Sequence, residues 1–277
     1  MSNPPVAFLV FDLESVADGS LVSRLQYPGE GLDPAAAIER YRAALLAKNG
    51  TDFIPYTFQY PTAVAVAKVG ADFGLLDLVA LDEPGFRPHV ITEHFWRGWE
   101  HYRRPTLVSF NGRTFDLPLL ELAAFRYGVS LPGWFAARAR GTDQPRNRYN
   151  TASHLDLLEL LTNFGSSRFV GGLNLAANLL GKPGKMDVQG CMVQDLFNAG
   201  RLTEISDYCR CDVLDTYFVF LRTRVLIGEL SLEQEHERIE STKSWLQERA
   251  ADVTGYRLYL DRWGDWPNPW QGEEAGK

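Results

Sequence analysis

Cysteine is scarce: Cys191, Cys209 and Cys211 are the only three in 277 residues. That number and spacing exclude a disulfide framework and a Cys-x-x-Cys zinc site. Long apolar runs are missing too, since no stretch approaches the roughly 18 residues of a membrane span. The opening Met1-Ser2-Asn3-Pro4-Pro5 lacks the basic start of a signal peptide, so the expected location is cytoplasmic, with no membrane partner. Positive charge is in deficit, 28 Lys and Arg against 35 Asp and Glu, for a net charge of -7. Such a balance disfavours broad attraction to nucleic acid but leaves room for a local basic groove. Several motifs are absent as well. His94 and His101 form no His-Glu-x-x-His pattern. The turn Gly181-Lys182-Pro183-Gly184-Lys185 is no phosphate loop, because Ala176 replaces its first Gly and Pro183 follows the Lys; a surface turn is expected.

What is present is an ordinary globular composition, 45% hydrophobic and 23% charged, enough for one large domain or two small ones. The organising stretch is Phe8-Leu-Val-Phe-Asp-Leu-Glu14. Its short run of bulky apolar residues suits a strand buried on both faces. Residues i and i+2 of a strand share a side, so Asp12 and Glu14 project together from its end. Two such charges are costly unless a cation or a shared proton relieves them. A lone Asp-x-Glu more often marks a strand running into solvent, and what matters is whether other carboxylates converge on it.

Along the chain, residues 15–31 read as loop, and Asp33-Pro34 opens a helix that stops at Asn49-Gly50. The stretch Phe53 to Pro61 reads as too broken for a regular element, its aromatics as packing rather than a base-stacking platform. Thr62 to Val69 and Leu75 to Leu81 form a hairpin. Phe95, Trp96, Trp99 and Tyr102 mark an amphipathic helix, and Thr106 to Phe110 a second buried strand ending at Asn111-Gly-Arg-Thr-Phe115-Asp116. Asp116 alone could be a helix N-cap. Arg138, Arg140, Arg146 and Arg148 form the most basic stretch, a solvated loop or a phosphate contact. His154-Leu-Asp-Leu157 leads from a short strand into a helix, and another opens at Gly171-Gly172. Thr203 should cap the longest helix, running toward Leu226, with Ile205, Tyr208, Cys209, Asp212, Thr216 and Val219 on one face. Asp212 in that stripe costs several kcal/mol unless compensated, and a metal ion would do so. Asp207 and Asp215 fall off the stripe and should be solvated. Trp263, Trp266 and Trp270 should pack on the domain, and Gly272 to Lys277 should be disordered.

Phe-Asp-Leu-Glu on a first strand, Asn-Gly-x-x-Phe-Asp after another and Tyr208-Cys-Arg-Cys-Asp212 on a late helix occur here in a familiar order. From about Val6 to Arg224 the chain resembles the DEDDy 3'-5' exonucleases of the ribonuclease H-like superfamily, most closely the stand-alone relatives of the proofreading exonuclease domain of family-B DNA polymerases. The resemblance implies an α/β fold: a ribonuclease H-like mixed five-stranded sheet of order 3-2-1-4-5 flanked by helices. Residues 1–230 would form that domain, and 231–277 a helical, Trp-rich extension packed on it.

It further implies two divalent cations, Mg2+ or Mn2+. Asp12 would bridge them, Glu14 and Asp212 would complete one site, and Asp116 would hold the other ion through water. Tyr208 would orient the attacking water, while Ser15, Asn111 and Phe115 would contact the 3' end of a single strand of DNA or RNA. Ser15 stands where the family usually has Thr, and keeps the hydroxyl without the methyl. Asp207 stands where the histidine-based branch has His. Two rivals are a catalytically silent nucleic-acid binding module of the same fold and a phosphatase with Asp12 as nucleophile, which would want Asp at position 14.

Overall fold

The computed structural model describes residues 5–184 and 192–270; Lys185, Cys191 and the tail from Gln271 lie outside them. The first strand, β1 (Val6–Ala17), divides the molecule. Leu9, Phe11 and Leu13 enter one apolar core, and Val10 and Val16 enter a second on the opposite face. Burial on both sides is why this strand carries no polar alternation until its carboxylates.

After β1 come α1 (Gly19–Gln26) and α2 (Pro34–Asn49), a 3-10 turn at 56–58, and the hairpin of β2 (Gln59–Gly70) and β3 (Leu75–Ala80). Next are α3 (Pro88–His101), β4 (Thr106–Ser109), α4 (Asp116–Tyr127), the single turn α5 (Pro132–Phe135) and β5 (His154–Asp156). The helices α6 (Leu157–Thr162), α7 (Gly172–Asn178), α8 (Val193–Asn198), α9 (Leu202–Leu226), α10 (Leu232–Arg249) and α11 (Thr254–Asp261) complete the order. The sheet runs β3-β2-β1-β4-β5. β1 pairs antiparallel with β2 and parallel with β4, which pairs parallel with β5. This is the mixed five-stranded, ribonuclease H-like order that the resemblance implies.

Three local readings need correction. Residues 15–31 are not a loop: β1 continues to Ala17, and Asp18 caps α1 by accepting from the Leu21 N–H at 2.9 Å. The Asp-Gly-Ser composition there is a cap signal rather than a loop signal. The stretch before Pro61 already holds β2 residues, because a register shift at Glu14/Ser15 places Pro61 opposite Ser15, and a bulge tolerates a residue with no N–H to donate. Finally, α9 begins at Leu202 without a side-chain cap, so Thr203 is inside it.

Two faces of β2 explain how α9 reaches the sheet. Val64 and Val66 fill the core under α3 and α4, whereas Ala63, Ala65 and Ala67 face α9. Ala65 lies directly opposite Asp12 and Ala63 opposite Glu14. Small side chains at those positions admit the helix closely beside the two carboxylates, and Cys209 on it donates its thiol to the Asp12 carbonyl at 3.3 Å.

Candidate active site

The convergence is between β1 and α9. Asp12, Glu14 and Asp212 each offer a carboxylate oxygen, and the three oxygens lie within 4.8 Å of one another. Glu14 is buried, while Asp12 and Asp212 are half-buried. Burial, then the charges of Asp116, Asp212 and Glu14, hold the Asp12 carboxyl well above the usual range. Asp116, the first residue of α4, is buried and stands outside the 4.8 Å group. It is tied to β1 all the same, since it accepts from the Leu13 N–H. Its carboxyl is pushed up to about 7, chiefly by burial and then by the charge of Asp156. The structure thus draws three of the four expected carboxylates into one cluster and sets Asp116 at its border.

Tyr208 lies one helical turn before Asp212 and is 5% exposed. Its hydroxyl bonds Asp212, and burial together with Asp212, Glu14 and Asp12 drives its pKa far upward. A phenol so placed keeps its proton, so it orients and donates but does not act as a base.

The loop before Asp116 is shaped by groups that motif reading did not assign. Asn111 adopts a left-handed φ of 66°. Asp156 accepts from the backbone N–H groups of Asn111 at 2.9 Å and Arg113 at 3.0 Å, and also caps α6 through Leu158 and Glu159. Arg113 in turn donates to Glu159 at 2.9 Å and to the His154 carbonyl at 3.0 Å. A Cβ on Gly112 would sit 2.4 Å from Ser109 Oγ and 2.8 Å from Asp116 Oδ2, so only glycine fits against that carboxylate. The available signal was Asp156 itself, a strand-ending residue at a helix start.

The expected substrate contacts are placed as follows. Ser15 is half-buried and its hydroxyl donates to Gln59 Oε1 at 2.6 Å. Asn111 is exposed, its side-chain oxygen accepting from Thr114 Oγ1 at 2.8 Å. Phe115 is half-buried, its ring 5.8 Å from Phe53 and 6.5 Å from Tyr56.

Other sequence readings change. Asp207 and Asp215 are buried, not solvated. Asp207 pairs with Arg210 at 2.9 Å, and Asp215 accepts from the Tyr259 hydroxyl at 2.6 Å. Conversely Asp212, expected within the buried stripe, is the more open of the three. Lys182 does not lie in a surface turn. It is 3% exposed, donates to the Gly264 carbonyl at 2.8 Å, sits 3.9 Å from the centre of the Trp263 ring, and burial lowers its pKa to about 8. In the basic stretch, Arg146 is held by Glu121 at 2.7 Å and Arg148 by Glu159 at 2.7 Å, while Arg138 and Arg140 are exposed.

Residues 51–263 match the model of a family described as predicted 3'-5' exonucleases related to the exonuclease domain of PolB. No curated protein matches the chain. The matched span holds Asp116, Tyr208 and Asp212 and starts after β1, whose Asp12 and Glu14 the fold brings to the same place.

Proposed function

Because the chain belongs to the family of predicted 3'-5' exonucleases related to the exonuclease domain of PolB, we propose that it removes nucleotides from the 3' end of single-stranded DNA or RNA by metal-dependent hydrolysis. The observation that carries this reading is the meeting of Asp12, Glu14 and Asp212 within 4.8 Å, with the Tyr208 hydroxyl on Asp212. An all-carboxylate donor set suits hard cations such as Mg2+ or Mn2+, and a cation would offset both the burial of Asp12, which is the main cause of its raised pKa, and the neighbouring charges of Asp116, Asp212 and Glu14, which add to it. Asp12, Glu14 and Asp212 would hold one ion, and Asp12 with Asp116 a second. Bound there, divalent cations supply Lewis-acid activation of water and stabilisation of the leaving 3'-oxygen.

The chain's own groups do the positioning. Tyr208, fixed by its bond to Asp212 and unable to ionise, presents its oxygen to a water O–H and so aims the nucleophile. Ser15 and Phe115, the chain neighbours of Glu14 and Asp116, and Asn111 in the loop before Asp116 would seat the last nucleotides. Hydrolysis adds hydroxide to phosphorus, breaks the bond to the 3'-oxygen, and leaves the water proton on that oxygen, releasing a mononucleotide. A rigid duplex end gives its terminal phosphodiester poor entry to a site at a strand end, so frayed single strands are the better substrate.

The test is degradation of 5'-labelled DNA and RNA oligonucleotides of one sequence, with magnesium, with manganese and with chelator. Stepwise shortening from the 3' end that stops in chelator is expected. Undiminished cleavage in chelator would remove the metal-dependent reading, and shortening from the 5' end would remove the polarity.

A further inference from the structure

Beside α4, α5 and the 56–58 turn lies a surface pocket of about 430 Å³ that none of Asp12, Glu14, Asp116 and Asp212 lines, its one carboxylate being Glu121. Its walls include Tyr56, Arg113, Leu117, Trp134, Phe135 and Arg146. Volumes of a few hundred Å³ suit small planar ligands. The pocket begins one ring away from the carboxylates: Phe115, which precedes Asp116, packs on Tyr56 and on Phe53, and Phe53 is 56% exposed.

The walls are fixed in advance. Trp134 Nε1 donates to Glu121 at 2.8 Å, and Arg146 grips the same carboxylate while its guanidinium lies 4.9 Å from the Phe135 ring centre. Arg113 is held by Glu159 and the His154 carbonyl. A ligand there orders few side chains, which lowers the entropic cost of binding. Aromatic faces beside fixed guanidinium groups match one chemistry well, a nucleobase with its neighbouring phosphate. Exposed Arg138 and Arg140, shortly after α5, add positive charge on an otherwise acidic molecule.

We propose that this pocket holds a base of the single strand upstream of its terminal nucleotides, seated against Tyr56 and Phe135 with its phosphate beside Arg113 and Arg146. The proposal rests on the exonuclease reading in taking that strand to be the substrate. It assigns the 56–58 turn, the α5 turn and the arginine-rich stretch one shared task, retention of the strand as its end is shortened.

The experiment separates binding from cleavage. Affinity for oligothymidylate and oligouridylate of three and eight nucleotides is measured in chelator with the parent chain, Tyr56→Ala and Phe135→Ala. Phe135 is 43% exposed, so its removal leaves the core intact even if Tyr56→Ala does not fold. Both variants should bind the octamer roughly tenfold more weakly, while the trimer is affected much less, so the advantage of length shrinks. Octamer binding equal to the parent's, or equal losses for both lengths, would overturn the pocket. Cleavage of the octamer by the parent chain in magnesium is read separately. Its absence would sink the exonuclease reading while the length-dependent binding still decides the pocket.

Discussion

Tyr208 and Asp212 share a helix face and a hydrogen bond, yet their removal should fail in different ways. Asp212→Asn keeps the shape and deletes a charge from the carboxylate cluster, so calorimetric affinity for manganese and turnover should both collapse. Tyr208→Phe should leave metal affinity unchanged and slow single-turnover cleavage by something on the order of ten- to a thousandfold, since only the aim of the water is lost. A parental rate for Tyr208→Phe would make this tyrosine a packing residue. The buried carboxyls also fix the pH dependence of the metal-free fold. Asp116 and Asp215 have folded values of about 7 and about 8, well above the ordinary 3.8. Between those limits the folded chain keeps protons that the unfolded chain has released, so stability falls as pH rises toward 8. Two opposing groups bracket the useful window. His154, buried and neutral, costs stability at acid pH, where the unfolded ring is charged, and Lys182 with its lowered pKa restores stability above about 8. The melting temperature without metal should therefore drop between about pH 6.5 and 8, each carboxyl contributing up to about 1.4 kcal/mol per pH unit, and Asp215→Asn should flatten the slope. A melting temperature that rises across this interval would contradict the assignment.

At the scale of elements, the loop between β4 and α4 depends on a residue from the next strand. Asp156→Ala strips the acceptor from two loop N–H groups and the cap from α6, which should cost about 1–3 kcal/mol. Asp116 would lose its placement with it, so activity should drop while Asp156→Asn, with one acceptor oxygen left, recovers part of both. Calorimetry beside single-turnover kinetics checks the pair, and activity surviving at full rate in Asp156→Ala would mean that the loop holds itself. The contrast with β1 shows what sequence reading reaches. Its apolar run and Asp-x-Glu end foretell a buried strand with two carboxylates on one side, because the period of two is local. The order of the strands came from resemblance, and the His154-Leu-Asp-Leu157 stretch was legible as a strand-to-helix junction, but the hold of Asp156 on the loop was not, because an N-cap looks the same whether or not a distant loop also donates to it. On α9 the one-face stripe misled for a related reason. The helix is covered by the sheet on one side and by α10 and α11 on another, so Asp207 and Asp215, polar by pattern, are buried against residues far along the chain.

For the molecule as a whole, that covering bears on whether residues 231–270 form an appendage or part of one folding unit, and we propose the latter. The family match, reaching residue 263, includes α10 and α11. Leu246 and Tyr259 are fully buried in the core that also contains Val10 and Tyr208. Tyr256 donates to the Leu78 carbonyl on β3 at 3.1 Å, Glu235 pairs with Arg222 at 2.7 Å, and Tyr259 with Asp215. Removing everything after Leu230 would open the outer face of α9 to water, stranding Asp215 without its donor and exposing Tyr217 and Phe218, which are buried in the intact chain. The shortened chain should lose its near-ultraviolet circular dichroism and its cooperative melting, even though it retains every proposed metal ligand. A milder cut tests the same coupling without risking the fold. Tyr259→Phe deletes one hydroxyl and should lower stability by about 1–3 kcal/mol, the cost of leaving a buried acceptor unsatisfied. Were the chain of residues 1–230 to melt cooperatively and cleave at the parental rate, α10 and α11 would be a dispensable cover, and the burial of Asp215 would have no bearing on the helix that carries Asp212.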